Sequence, residues 1–381
     1  MQRVISSMKK ENWSLVFYHG VLQMLTMLTA TVLIGQLAGI SLPVTLFSTG
    51  LGCIIFTLIT KGRVPIGLGL SGSWLGTMIA MSQYGLDHVV GVTILGGMFY
   101  ALFALLIKFQ PKILKLFTPY ILNLAVMMIA FNLIGTGVGL VMAAPITGIV
   151  TIVAIALANQ FKHTKTFAFP LGILAGTVVH GSLYGLTSTF SGTFVPNFVV
   201  PAFNSTTLAA SLIFFALATE ALGDSKLAAD VTGNKYEPDK VIMGNGIASI
   251  VAGLFGGMSV TTYSESCGYV RATGYANPKA IIVAGLLYIG MSFIPGVSHV
   301  IGYIPGAALA GMLLYLFSLV AMCKIDEAKA SDESEMLVGI IGLAAFFLAP
   351  SLIPSISQIA IGMIAMIVTH LALQGIKKLK K

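Results

Sequence analysis

Long, nearly continuous apolar runs alternate with short polar segments along this chain. Ile281–Ile294 and Val338–Leu348 are typical, and neither shows the period-two alternation of a half-buried strand. A membrane barrel would alternate in that way, so the pattern predicts helices that cross a bilayer at ~20 residues per span. The predicted spans lie near residues 14–34, 42–60, 65–84, 89–107, 115–133, 143–160, 167–186, 207–225, 241–257, 260–276, 280–296, 300–322, 335–349 and 353–373. The first run, Trp13–Ile34, is too long for the apolar region of a signal peptide and is expected to stay as a span. Few residues remain between spans, so residues 1–381 read as a single transmembrane unit with no soluble domain appended.

Positive charge sorts with this pattern. All 21 Lys and Arg residues fall into eight clusters: Arg3/Lys9/Lys10, Lys61/Arg63, Lys108/Lys112/Lys115, Lys162/Lys165, Lys226/Lys235/Lys240, Arg271/Lys279, Lys324/Lys329 and Lys377/Lys378/Lys380/Lys381. Roughly 30–60 residues separate consecutive clusters, the length of two spans and a connection. Because Lys and Arg gather on the cytoplasmic side, a chain that returns to a basic cluster after every second span has both termini inside. The expected fold is therefore an all-α polytopic membrane protein of seven hairpins and fourteen helices, in the cell membrane with lipid as its surroundings.

Composition points the same way. Hydrophobic residues make up 56% of the chain and charged residues 9%, and the mean hydropathy is +0.94. A soluble domain could not cover its surface with so little polar material. The net charge of +8 is then a signal of topology and of affinity for anionic headgroups, and no nucleic-acid partner is expected. Cys53, Cys267 and Cys323 show neither disulfide nor metal spacing.

Seven is odd, and that has a consequence. If the chain divides at the uncharged connection Thr187–Ser205, one half enters the membrane from inside and the other from outside. The halves are then inverted repeats, an arrangement that recurs in secondary transporters with midplane sites on interrupted helices. The third span of each half carries such an interruption. Span 3 opens Pro65-Ile-Gly-Leu-Gly-Leu-Ser-Gly-Ser-Trp74 and span 10 opens Gly256-Gly-Met-Ser-Val-Thr-Thr-Tyr-Ser-Glu265. Gly, Ser and Thr packed into the start of a span predict an extended piece followed by a half-helix, whose free N–H groups face the bundle centre. The plainer alternative is close helix packing by small residues.

Of the 13 acidic residues, ten fall in predicted loops or at the termini, and Glu220, Asp224 and Glu265 do not. An ionisable group at membrane depth is costly unless paired, hydrated or protonated, so its default role is functional. Glu220 and Asp224 are four apart on one helix face. No basic residue lies within the span cores of Glu220 or Glu265; Asp224 has Lys226 two positions on. Such carboxylates can take up and release a proton or hold N–H donors of a substrate. His19, His180 and His370 also fall in spans and are expected to bond neighbouring helices. Gly67-x-Gly69 lacks the context of a phosphate loop, and Gly253-x-x-x-Gly257 has the spacing of a packing motif. No catalytic triad, Walker lysine or metal cluster is found, so an enzyme is not expected, nor any cofactor.

These residues resemble the nucleobase–ascorbate transporters, also called the nucleobase:cation symporter-2 family, which includes xanthine and uracil permeases. Glu265-Ser266-Cys267-Gly268-Tyr-Val-Arg-Ala-Thr273-Gly274 matches the family's span 10 signature at each fixed position except Ser266, where the family has Asn. Ala218-Thr-Glu220-Ala-Leu-Gly-Asp224 is similar to the Glu-x-x-Gly-Asp segment of xanthine and urate permeases, whereas uracil permeases end it with His. Leu70-Ser-Gly-Ser-Trp74 resembles the family's Gly-Ser-Ser-aromatic segment, and Leu22-Gln23 stands where the family has a Gln-His pair. The resemblance covers essentially the whole chain.

It implies a 7+7 inverted repeat with a core domain drawn from residues 1–133 and 207–296 (spans 1–4 and 8–11). A gate domain would be drawn from residues 115–186 and 300–373 (spans 5–7 and 12–14), and the unit is expected to be a homodimer. It also implies a nucleobase held between the interrupted spans 3 and 10. Glu220 would bind ring N–H groups and Glu265 would anchor the site. The backbone around Ser73, Trp74, Tyr263 and Ser264 would contact the base, with the Trp74 ring available for stacking. Glu220 and Asp224 would carry the coupling proton, Na+ being the other candidate ion. The substrate is a purine such as xanthine or guanine, or uracil, since the span 8 and span 10 motifs disagree. An anion exchanger of the same architecture is the alternative, disfavoured by two carboxylates with no basic residue in their span cores, and a passive channel is a third.

Overall fold

The computed structural model describes residues 12–379 except 71, 162, 165–166, 189–191, 196–197 and 353–357. The elements run α1 (Trp13–Leu37), α2 (Leu42–Ile59), β1 (Leu68–Leu70), a 3₁₀ turn (Gly72–Trp74), α3 (Leu75–Ser82), α4 (Leu86–Phe109), a 3₁₀ segment (Pro111–Leu116), α5 (Pro119–Val141), α6 (Pro145–Gln160) and α7 (Ala168–Tyr184). The second half runs α8 (Ser205–Ser211), α9 (Phe214–Thr232), α10 (Pro238–Leu254), β2 (Val260–Thr262), α11 (Ser264–Thr273), α12 (Pro278–Ser292), α13 (Pro295–Ile301), α14 (Gly306–Glu327), α15 (Glu333–Leu352) and α16 (Gln358–Leu379). Helix starts follow the usual chemistry. The Asn12 and Thr118 side chains accept from Leu15 and Ile121 N–H groups, and proline occupies the first turn of α2, α5, α6, α10, α12 and α13, where a missing N–H costs nothing.

By length and composition, seven of the described helices can cross a membrane alone, namely α1, α2, α4, α5, α14, α15 and α16. The pair α12–α13 makes an eighth if counted as one, but it bends by 95°. Here the structure corrects the expected spans 280–296 and 300–322. The helix stops at Ser292, Pro295 opens a separate short helix, and α14 begins only at Gly306. Spans 3 and 10 are composites of strand and half-helix, as their Gly/Ser/Thr-rich openings predict.

The two composites pair. β1 and β2 lie antiparallel with Leu68 opposite Thr262, Gly69 opposite Thr261 and Leu70 opposite Val260. Both strands are buried throughout, so their remaining backbone groups need partners, and each half supplies them alike. The N–H of Leu68 donates to Cys53 Sγ (3.2 Å), and that thiol donates back to the Leu68 carbonyl (3.2 Å). The N–H of Val260 donates to Ser249 Oγ (3.2 Å), and that hydroxyl donates back to the Val260 carbonyl (2.9 Å). Cys53 and Ser249 are each the twelfth residue of their helices, α2 and α10.

The same correspondence governs the helix crossings. α2 packs on α12 and α10 packs on α4. Backbones touch at Gly50 against Gly285 and at Gly246 against Gly97, Gly50 and Gly246 being each the ninth residue of its helix. A methyl on Gly97 would lie 2.7 Å from the Gly246 carbonyl oxygen, and one on Gly285 2.7 Å from that of Gly50. The pairs α6–α7 and α15–α16 pack likewise, and α5 lies against α14. This is an inverted repeat in physical detail.

Exposed side chains on the outer helices, including Leu102, Leu157, Leu174, Phe347 and Val368, are apolar, as a lipid-facing surface requires. Two of the basic clusters meet in space through one acidic residue. Arg63 and Lys240 both pair with Glu237, and Lys377 reaches Asp332 near the start of α15 (3.1 Å).

Candidate functional site

The crossing of β1 and β2 aims two half-helices into the bundle, and α9 passes beside them. The free N–H groups of the first turn of α11 are those that helix geometry leaves without acceptors. That turn carries Ser264 and Glu265. From α9, Glu220 and Asp224 reach the same place. The Ser264 hydroxyl donates to Asp224 Oδ2 (2.7 Å), and Cys267 Sγ donates to the Asp224 backbone carbonyl (3.4 Å). Glu265 accepts from its own backbone N–H and interacts electrostatically with Asp224. Glu220 acts through space on the Tyr263 and Tyr100 hydroxyls. The structure thus brings together Asp224, Ser264 and Glu265, with Glu220 one turn away on α9 and acting on Tyr263, the residue before Ser264; the resemblance implied this grouping. All three carboxylate residues are only half-buried, and Ser264 is exposed.

The opening has a direction. Ser264, Gly268 and Arg271 are exposed at spacings of four and three along α11, one continuous helix face. That face leads from the carboxylates to the basic end of α11, where Arg271 also meets the negative end of the helix dipole. Lys324, in the last turn of α14, stands across from it. Its ammonium acts on Asp224 and on Cys267 and donates to Asn123 of α5 (3.2 Å).

One open alternative and one expectation fall here. Lys226 does not satisfy Asp224. It pairs with Asp230, its i+4 neighbour, because two residues along a helix turn a side chain to another face. Nor does Trp74 offer a stacking face. Its ring is fully buried, seated over Gly96 of α4, and its indole N–H has no hydrogen-bond partner among the described residues. The Ser73 side chain lies outside the described residues. Tyr263 is also a packing residue, 4% exposed. Its ring covers Gly69 of β1, and its hydroxyl lies 3.5 Å from Thr31 Oγ1.

Several residues at the crossing escaped the sequence reading. Asn245 Oδ1 accepts from the Thr262 N–H (2.9 Å), and Tyr100 is fully buried beside Thr261. On α1, Gln23, Met27 and Thr31 line one face at spacing four and all meet the crossing. That spacing was the available signal, two polar residues on one stripe of an otherwise apolar span. His19 and His180 bond neighbouring helices as expected, whereas His370 bonds within its own helix α16. His19 bonds the Tyr269 hydroxyl of α11 (2.6 Å), His180 bonds Thr147 of α6 (3.0 Å), and His370 bonds Gln374 (2.8 Å). Among the described residues no group of His, Cys, Asp or Glu could hold a metal ion.

A carboxylate cluster beside a pair of interrupted apolar spans fits a membrane transporter, and sequence comparison specifies the family. The profile of the Permease family, Xan_ur_permease, matches residues 15–349. The chain belongs to this family, the nucleobase–ascorbate transporters, and is a permease and not an enzyme. It is 28% identical to the uracil permease of Bacillus subtilis (strain 168) over 332 residues, covering 77% of this chain and 75% of that one. It is 25% identical over 372 residues to the uric acid permease PucJ of the same organism, covering 85% and 81%. Among solved structures it is similar to the transmembrane domain of a cyanobacterial bicarbonate transporter, BicA, with a TM-score of 0.71 at 15% identity, covering 93% and 96% of the two chains. That likeness is one of fold.

Proposed function

We propose that this chain carries a nucleobase inward across the cytoplasmic membrane by proton-coupled alternating access, with fourteen spans and both termini in the cytoplasm. One observation carries the reading. Glu220, Asp224 and Glu265 converge from α9 and α11 on the β1/β2 crossing, and Ser264 is already bonded into the cluster. A planar, amide-rich ring needs carboxylate acceptors for its N–H groups and backbone N–H donors for its carbonyls. Glu220 and Glu265 supply the first, and the first turn of α11 supplies the second. Relatives that carry uracil and uric acid by name support this substrate class.

The coupling follows from charge. Moving three carboxylates past an apolar gate unneutralised is costly. A proton on Glu220, or shared by Glu220 and Asp224, removes one charge while the N–H groups of the substrate compensate another. Lys324, on the gate side, stabilises Asp224 when the site is unloaded. Glu265, at a helix N-terminus, is the member whose charge the backbone best supports. The core and gate domains are the moving parts, and the unit is a homodimer. The anion-exchanger alternative would place an anion among these carboxylates, where like charges repel.

Uptake of radiolabelled uracil, uric acid, xanthine and guanine with and without a protonophore tests this reading. Accumulation against a gradient, collapsed by the protonophore, is the expected result. Equilibration without accumulation would make the protein a passive channel, and uptake driven only by Na+ would replace the proton.

A further inference from the structure

The geometry points to Ser266, the residue that departs from the family signature, as a positioning residue for the substrate site, acting as one half of a pair with Gln23. Its hydroxyl does two things at once. It accepts from the Gly67 N–H (2.8 Å) and donates to Gln23 Oε1 on α1 (2.7 Å). Both side chains are buried, Ser266 at 0% and Gln23 at 2% exposure, so neither bond competes with water and either one lost leaves a buried polar group unpaired. Gly67 is tied a second time, since its carbonyl accepts from the Tyr263 N–H (3.1 Å). The residues bracketed by these two ties are Ser264 and Glu265, the pair that faces the substrate. One backbone position ahead of β1 therefore sets where the first turn of α11 begins and where the Glu265 side chain stands.

The node is closed by close packing. A side chain on Gly67 would run into Met27 of α1, whose Sδ would lie 2.5 Å from the added carbon. Met27 follows Gln23 by one turn, so the same face of α1 that binds Ser266 also seals Gly67. Serine fits this node because a hydroxyl is short enough to bridge a backbone amide and a neighbouring glutamine. An asparagine at 266 would be longer and would need the volume Gln23 fills. Residues 23 and 266 therefore act as one bonded unit.

The affinity arm of the test rests on the reading of this site as a nucleobase site, and the exchange arm does not. In purified protein without ligand, hydrogen exchange should become about tenfold faster at the bonded amides of Gly67, Tyr263 and Cys267 in Ser266→Ala, while Ser266→Thr, which keeps the hydroxyl, leaves it unchanged. Unaltered exchange in Ser266→Ala would overturn the proposal. With uracil and uric acid as probes, Ser266→Ala should raise the Kd of whichever binds by about tenfold, and Ser266→Thr should stay within about twofold. Gln23→Met and Ser266→Ala combined should do no worse than Ser266→Ala alone, because each removes the same bond. Fully additive effects, or a loss of thermal stability with unchanged Kd, would make Ser266 merely structural. If the unaltered protein binds neither probe, the proposed substrate class fails, and the exchange result still decides the node.

Discussion

From Leu68 to Ser82 the chain runs strand, 3₁₀ turn, half-helix, and from Val260 to Thr273 it runs strand, half-helix. The two strands pair with each other, and each is held at its first residue by one side chain from the twelfth position of the preceding repeat-related helix. Their chemistry then diverges. The first segment contributes Trp74, turned away into α4, and no acidic residue. The second opens its helix with Ser264 and Glu265 and lies beside Glu220 and Asp224. A duplicated scaffold thus builds the crossing, while one copy alone carries charge. The scaffold demands only a short hydrogen-bonding side chain at two positions, which Cys53 and Ser249 meet equally, and it leaves the site free to be asymmetric.

The sharpest way to break that comparison is at the charged copy. Glu220→Gln keeps shape and one acceptor but cannot release a proton, so active uptake should be abolished; a variant that still accumulates substrate against a gradient would remove Glu220 from the coupling. Glu265→Gln should weaken binding by about 10- to 150-fold, the equivalent of roughly 1.5–3 kcal/mol for a charged hydrogen bond in a desolvated site. Glu265→Ala should do worse, as measured by equilibrium binding. Asp224→His should tilt the preference from uric acid toward uracil in competition uptake, and an unchanged ratio would place selectivity elsewhere.

The uncharged scaffold should respond symmetrically. Gly50→Ala and Gly246→Ala each force a methyl against a facing helix backbone. Each should cost about 1–3 kcal/mol and lower the thermal unfolding midpoint by similar amounts, without a change in substrate preference. Unequal losses would show that the two crossings are not equivalent. Cys53→Ser should have the smallest effect of all, because Ser249 already does the same work on Val260. Uptake and midpoint close to those of the unaltered protein are expected, and a large loss would mean that the thiol does more than hold Leu68.

Much of this arrangement was legible in the chain. Interruptions in spans 3 and 10 were visible because Gly, Ser and Thr stand where a regular span would use Leu and Ala. The carboxylates were visible because membrane depth makes them expensive. The fate of Trp74 was not, since the cavity that receives its ring is made by Gly96 on another span. Lys226 is near Asp224 in sequence only, while the cation that acts on Asp224, Lys324, lies 100 residues on. The bend between α12 and α13 was missed because an apolar run hid the break that Pro295 makes. Cys53 and Ser249 do not look alike as letters, and only the strands they hold show that they are counterparts.

The central claim, that a proton and a neutral base move together through the charged copy of the crossing, is tested most directly by electrical recording from reconstituted vesicles on a solid support. Addition of uracil, which is uncharged at neutral pH, under a neutral, Na+-free buffer should give a current carried by positive charge in the direction of substrate movement. Glu220→Gln should abolish that current while Cys53→Ser leaves it intact. Substrate flux with no net charge movement, or a current that survives in Glu220→Gln, would contradict the account.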